Sequence, residues 1–379
     1  MKNLAVFYGG KSAEHDISII TAMQVINNLD KTKYNIVPVY IDYDNSWQVI
    51  KDYKNMNIYA QEDKKGKMLA TGFFNSFLLK KSLFGFKKYC RIDVAINCCH
   101  GLNGEDGTLA GLLTLNNIPF VGSNVLASAV GMDKVIMKDV FVANNIPCVK
   151  YLHFFEQDYR INKDDILLNA EDVLSYPIMV KPANLGSSIG INIAKNRQEL
   201  EQNIKIALEF DKKIILEQAV TTLREINCAC FGYGNNVQTS LLEEPKNWKT
   251  FLTFDEKYLE QNINNNKKTI GITLGHDLDK QITELSKKIF TTLGCSGVVR
   301  IDYLLDTTTN KIYANEINTI PGSFANYLWK DKFGFSQMLD ILVDNCVNEY
   351  LYNNKNKYTY SSEVLKRFAG SKNISKFVK

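Results

Sequence analysis

The sequence predicts an α/β unit at the N-terminus followed by an α+β region built on antiparallel sheet, and three observations carry that prediction. Short apolar runs alternate with helical patterns over the first third of the chain, the mark of βαβ units and a parallel sheet. From YPIMVKP (176–182) onward, strand-like runs follow one another with turns between them, as antiparallel strands do. Between the two regions, Gly122-Ser-Asn interrupts the pattern and marks a boundary.

Taken in order, LAVFYGG reads as a first strand and turn, ISIITAMQVINNL as a helix and NIVPVYI as a second strand, a Rossmann-like opening. Residues from Asp52 to Tyr89 carry no clear period and stay unassigned. DVAINCCHG is a buried strand stopped by glycine, GTLAGLLTLNN a helix and IPFVG a short strand. MDKVIMKDVFVANN is a helix, and YPIMVKP, GINIAK, IILEQAV, REINCACFGYG and VQTSLLEEP are strands. Leu259–Lys268, polar and asparagine-rich, reads as a mobile loop. DLDKQITELSKKIFTTLG and FGFSQMLDILVDNCVNEYL are amphipathic helices.

Composition narrows the function. With 45% hydrophobic and 23% charged residues, the 379-residue chain is an ordinary globular sequence of two or three domains. Its net charge of +4 gives no reason to expect nucleic acid or a membrane surface as partner, and no apolar run reaches the length of a span. None of the eight cysteines forms a C-x-x-C pair, and several lie in apolar strands. They read as small buried hydrophobes in a reducing compartment, and with four scattered histidines they argue against zinc.

The most informative segment is Arg300-Ile-Asp302 followed by Asn315-Glu316-Ile-Asn318, with a polar turn between two strands. Alternate strand residues share a face, so a hairpin folded about Thr309 sets Asp302 opposite Glu316 and Arg300 opposite Asn318. Directly opposed carboxylates repel unless a cation lies between them, and oxygen donors of this kind suit Mg²⁺ shared with substrate phosphates. Arg300 then faces the anion that the metal holds. The alternative is a solvated hairpin with charged outer positions. A second segment, Lys181-Pro-Ala-Asn-Leu-Gly186-Ser187-Ser188-Ile-Gly190, lets backbone N–H groups converge on an anion without being a P-loop, or is an ordinary Gly-Ser turn. Lys134 opens a helix, a position unfavourable to a cation unless it meets an anion; a solvated lysine is the other reading. Glu217 and Glu225 could accept from an adenine amino group and from ribose hydroxyls, or face solvent from their strands.

The motifs GGKSAEHDIS (9–18), HGLNGEDGT (100–108), GSNVLASAVGMDK (122–134), VKPANLGSSIG (180–190), REI (224–226), DEKY (255–258), RIDY (300–303) and NEINTIPG (315–322) occur in that order. Together they resemble the D-alanine–D-alanine ligases of the ATP-grasp superfamily over nearly the whole chain. The resemblance implies a Rossmann-like N-terminal domain (1–122) and a two-part ATP-grasp fold (123–220 and 221–379) that holds ATP between two antiparallel sheets. It implies that Lys134, Lys181 and Lys257 contact phosphates alongside Ser187 and Ser188, that Glu217 and Glu225 contact adenosine, and that Asp302, Glu316 and Asn318 bind two Mg²⁺ or Mn²⁺ ions. Arg300 and the backbone of Gly322 match the groups that hold a developing oxyanion. Glu14 matches the residue that receives the ammonium of the first D-alanine, with Ser187 and Tyr258 as its hydrogen-bonded partners and His100 nearby.

The chain departs from the family pattern in three places. Ala110 replaces a glutamine, the loop after Tyr258 lacks an Ile-Pro-Ala segment, and Tyr327-Leu328 stand where the family commonly has Ser-Leu, whose serine contacts the second substrate's carboxylate. The implied reaction joins two D-alanines through an acyl phosphate for peptidoglycan precursors, in a cytoplasmic homodimer. D-serine or D-lactate as second substrate, or a non-catalytic nucleotide-binding homologue, are the alternatives.

Overall fold

The computed structural model describes residues 1–60, 66–245, 268–357 and Glu363. Among these, three sheets form. The first contains β1 (Lys2–Gly9), β2 (Tyr34–Ile41), β3 (Trp47–Ile50), β4 (Gly66–Phe74), β5 (Phe77–Ser82), β6 (Gly85–Arg91), β7 (Val94–Asn97) and β8 (Phe120–Val121). Their order is β6-β5-β4-β3-β2-β1-β7-β8. The four strands β2-β1-β7-β8 are parallel, as the Rossmann-like reading requires, and β3 to β6 extend them as an antiparallel meander, of which β4, β5 and most of β6 fall in the stretch that the sequence leaves unassigned. Helices α1 (His15–Asn28) and α2 (Thr108–Leu115) pack on this sheet.

After it come α3 (Val125–Met132) and α4 (Lys134–Ala143), the second capped by Asp133, whose carboxylate accepts from the N–H groups of Val135 and Ile136. The second sheet is antiparallel, with β9 (Tyr151–Phe155), β10 (Ile178–Pro182), β11 (Asn192–Ala194) and β12 (Lys213–Gln218) in the order β11-β10-β12-β9. Helices α5 (Glu156–Ile161), α6 (Lys163–Leu174) and α7 (Arg197–Leu208) belong to the same segment. The third sheet, also antiparallel, has β13 (Leu223–Tyr233), β14 (Asn236–Pro245), β15 (Lys268–Ile270), β16 (Ser296–Asp306) and β17 (Lys311–Asn318) in the order β15-β14-β13-β16-β17. Against it lies α8 (His276–Leu293), which buries Ile282, Ser286, Ile289, Phe290 and Leu293 at helical spacing and stops at left-handed Gly294. The last helix among the described residues, α9, runs from Phe335 to Asn353.

The cores do not follow the sheets one to one. One cluster joins Leu4, Val6 and Ile96 of the first sheet to Phe231, Val298 and the α9 residues Met338, Leu339 and Leu342. Another unites α3 and α4, through Ala127, Met137 and Phe141, with the inner face of the third sheet. The second sheet keeps its own core, drawn from residues between Phe154 and Leu216.

The cysteines are free thiols; Cys90 and Cys148 are partly buried and the other six buried. Among the described residues no helix is long and apolar enough to cross a membrane.

Candidate active site

The hairpin β16–β17 sets Arg300 opposite Asn318 and Asp302 opposite Glu316, the register that a fold about Thr309 requires. Just beyond, the pairing slips, so that Asn315 has no partner between Glu316 and Ala314. Such a bulge bends the strand and re-aims a side chain. Here Asn315 Oδ1 faces the second sheet and accepts from Lys181 Nζ at 3.3 Å. Arg300 grips Asp302 with both forks, Nε to Oδ1 at 2.6 Å and a terminal nitrogen to Oδ2 at 2.7 Å, and Asn318 Nδ2 donates to Asp302 Oδ2 at 3.1 Å. The row continues across the sheet, since Asp302 pairs with Asn227 and Asn227 with Glu243.

Lysines from the other side meet this hairpin. Lys134 Nζ donates to Leu185 O at 2.7 Å and lies 3.9 Å from Glu316 Oε2; burial lowers its pKa, and Glu316 works in the opposite direction. Lys181 Nζ donates to Glu217 Oε2 at 2.7 Å. Glu217 is also reached by Lys138, whose Nζ lies 3.2 Å from Oε1. Burial alone raises the Glu217 carboxyl, but Lys138 and Lys181 outweigh it and hold the pKa at about 2. Lys138 was not singled out by the sequence reading, and its one signal is its position a helical turn after Lys134.

Glu14 precedes the first turn of α1, where the helix dipole favours an anion. It is buried, and Ser187 Oγ donates to its Oε1. Two glycines make room for it: a Cβ on Gly101 would fall 2.9 Å from Glu14 Oε2 and one on Gly186 3.3 Å from it. Ser187 and Ser188 are both left-handed, at φ 54° and 59°, a conformation that non-glycine residues avoid and that turns the loop back on Glu14.

Glu105, another residue not singled out by the sequence reading, ties two loops together. It accepts from Gly101 N at 2.9 Å and from Ile320 N at 3.0 Å. Burial, reinforced by the charge of Glu14, pushes its pKa up to about 8. His100 is buried with Nε2 at 2.9 Å from Thr21 Oγ1, which in turn accepts from Ser323 N at 3.3 Å. Burial drives the His100 pKa down to about 4, and Arg300 adds to the push. Gly322 opens a short turn in which Ser323, Phe324 and Ala325 are all left-handed.

A cavity of about 490 Å³ is lined by Glu14, Gly101, Gly186, Met132, Ile189 and Phe210. A smaller one of about 40 Å³ adjoins it through Gly186 and Met132 and is lined by Glu105, Lys134, Glu316 and Asn318. Among the described residues no cluster of three or more His, Cys, Asp or Glu side chains is gathered as a metal site. The hairpin set is two carboxylates and an amide, hard oxygen donors whose chemistry fits Mg²⁺ or Mn²⁺.

Not every candidate residue faces this space. The Tyr327 hydroxyl donates to buried Glu243 Oε2 at 2.9 Å, which also accepts from Asn227 Nδ2 at 3.1 Å. Leu328 is fully buried in the core cluster that joins the first sheet to α9. Glu225 is half-buried on β13, while its neighbour Arg224 pairs with Glu244 at 2.7 Å. Lys257, Tyr258 and the loop expected over Leu259–Lys268 lie outside the described residues, apart from the Lys268 backbone in β15.

Comparison with known proteins finds relatives that match most of the chain. The model of the D-ala D-ala ligase N-terminus family matches residues 3–123 and that of the D-ala D-ala ligase C-terminus family residues 140–344. A D-alanine–D-alanine ligase of Thermosipho melanesiensis is 40% identical over 96% of this chain and 98% of its own length. One from Staphylococcus epidermidis is 35% identical over 94% and 98%. The solved D-alanine–D-alanine ligase of Coxiella burnetii superposes with a TM-score of 0.76 at 29% identity, covering 94% of this chain and 98% of that one. The VanG D-Ala:D-Ser ligase of Enterococcus faecalis does so with 0.77 at 29% identity, covering 92% and 99%. The fold is that of the ATP-grasp ligases, and the chain belongs to the D-alanine–D-alanine ligase family.

Proposed function

We propose that this chain joins two D-alanines at the expense of ATP, through an acyl phosphate, to make D-alanyl-D-alanine for peptidoglycan precursors. The observation that carries the reading is the convergence of Lys134 and Lys181 with Glu316 and Asn315 between the two antiparallel sheets. The chain divides as 1–122, 123–220 and 221–379. A carboxylate does not react with an amine at neutral pH, because its leaving group would be oxide. ATP supplies a better leaving group. In this reading Lys134, Lys181, Lys257 and the Ser187–Ser188 loop hold the phosphates, and Glu217 and Glu225 hold the nucleoside.

Asp302, Glu316 and Asn318 hold a divalent cation, two Mg²⁺ or Mn²⁺ ions in the full reading. Bound metal offsets the charge on the transferred phosphoryl group. Glu14, fixed by Ser187 and by Tyr258, takes the ammonium of the first D-alanine, beside neutral His100. Its carboxylate is then aimed toward the phosphate lysines. The amine of the second D-alanine attacks the acyl phosphate, and Arg300 with the Gly322 N–H stabilises the oxyanion that forms. Tyr327 and Leu328 shape the second subsite from behind, Tyr327 by holding Glu243. The enzyme works in the cytoplasm as a homodimer. The test is ADP release with D-alanine, and a product identified by mass from a panel of D-alanine, D-serine and D-lactate. ATP hydrolysis with no D-alanyl-D-alanine would refute the assignment, and preference for D-serine or D-lactate would reassign the second substrate.

A further inference from the structure

The whole-chain charge conceals a local extreme. From Gly66 to Ile92 there are six cations (Lys67, Lys80, Lys81, Lys87, Lys88 and Arg91) and no carboxylate, whereas the full chain carries only +4. This segment is the antiparallel meander β4–β6, with β6 at the open edge of the first sheet. Its tip is unusual. Turns normally carry glycine, proline or small polar residues, because water surrounds them. Here the connection from Ser82 to Gly85 is Leu83-Phe84, and these are 96% and 95% exposed. Phe86, the next residue but one, is also exposed.

Behind the tip, Lys80 stands directly opposite Lys87, and Lys81 opposite Phe86. Opposed like charges weaken a hairpin unless an anion lies against them. Among the described residues no carboxylate pairs with Lys80, Lys81, Lys87 or Lys88; Lys88 rests its ammonium 4.5 Å over the Phe77 ring and Lys80 5.9 Å over that of Tyr89. Asp93 lies 3.8 Å from Arg91 and also accepts from Asn3 N at 2.9 Å.

We propose that the β4–β6 meander docks the protein on an anionic lipid surface, with Leu83 and Phe84 entering the interface and the lysines at headgroup depth. Apolar residues that lead, with long basic side chains a few residues behind on both strands, match the layering of a bilayer interface. A second copy fits this surface poorly, since two such tips would bring twelve cations together without a counter-charge.

The full chain should sediment with phosphatidylglycerol-containing vesicles at low salt, not with pure phosphatidylcholine, and should be released by high salt. Leu83→Ser with Phe84→Ser should abolish this binding. Lys80→Gln with Lys87→Gln should weaken it roughly 20–30-fold, at about fivefold per basic residue near such a surface. Neither pair touches the site described above, so unchanged ligase turnover shows that the variants are folded. Phe84→Trp should give an emission that shifts to the blue on anionic vesicles alone. Wild type that ignores anionic vesicles overturns the proposal, as does a Leu83→Ser/Phe84→Ser variant that binds as wild type does. A fall in oligomeric mass in that variant, with no vesicle binding by wild type, also overturns it, in favour of a second copy.

Discussion

Glu217 sits between two ammonium groups, and replacing it by glutamine is the sharpest test of how this buried cluster is held. The carboxylate is 2% exposed, with Lys181 at 2.7 Å and Lys138 at 3.2 Å. Its pKa falls from 4.5 to about 2 in spite of burial. At 1.36 kcal/mol per unit the lysines hold it with roughly 3 kcal/mol. Because the folded pKa is the lower one, this stability is present above pH 4.5 and is lost as pH falls toward 2. Glu217→Gln removes the negative charge between two buried cations, which typically costs roughly 3–5 kcal/mol. Lys138→Met removes one ammonium and leaves the Lys181 pair intact, so it should cost less. The double variant should recover part of the Glu217→Gln loss, since one of the two stranded cations is gone. The assay is urea unfolding of the nucleotide-free protein, comparing midpoints at constant slope. A Glu217→Gln loss under about 1 kcal/mol, the range of an exposed ion pair, or strict additivity in the double variant, would refute a buried, coupled triad.

Three further outcomes are expected. Arg300→Lys should lower kcat by about 10²–10³ without unfolding the protein, because an ammonium cannot reproduce the fork that holds Asp302; near-normal turnover would make Arg300 a simple counter-charge. Glu105, with its pKa raised to about 8, takes up a proton on folding, so its contribution to stability is full below pH 4.5 and is lost as pH rises through 8. Glu105→Gln should flatten that part of the profile of unfolding midpoint against pH, and an unchanged slope would count against a protonated carboxyl. Tyr327→Phe leaves Glu243 with one fewer donor and should cost roughly 1.5–3 kcal/mol in stability while raising the KM of the second substrate more than that of the first. Identical denaturation curves would show that the hydroxyl does nothing for Glu243.

What the sequence made legible was local. The Asp302/Glu316 opposition could be read from strand period and turn position alone, because pairing on both sides of a short turn is fixed by counting. The bulge at Asn315 could not, since a one-residue slip leaves the residue pattern of each strand unchanged. The meander β4–β6 escaped notice because it buries little: only Leu69 and Leu78 are buried in it, too few to set up an apolar alternation. Lys138 and Glu105 escaped for the opposite reason. Each is an ionisable residue taken into the interior by partners far away in sequence, Glu217 for one and Ile320 for the other. The Tyr327 hydroxyl likewise finds Glu243 across 84 residues.

The distribution of cores has a mechanical consequence. The first and third sheets share a buried cluster with α9 and therefore form one cooperative body, while the second sheet is packed around itself. Its apolar contact with α4 is small, Val135 against Ala183, Ile215 and Tyr151, and polar ties such as Lys138 with Glu217 and Asp133 with Lys213 make up the rest. Lys181, Ser187 and Glu217 ride on the smaller body, and Glu14, Arg300, Asp302 and Glu316 on the larger. A ligand seated between them would be a clamp across a seam that is mostly polar. Its binding energy appears as added resistance of the small body to unfolding, by RT ln(1 + [L]/Kd). In a calorimeter the nucleotide-free chain should melt in two steps that draw together as ligand is added.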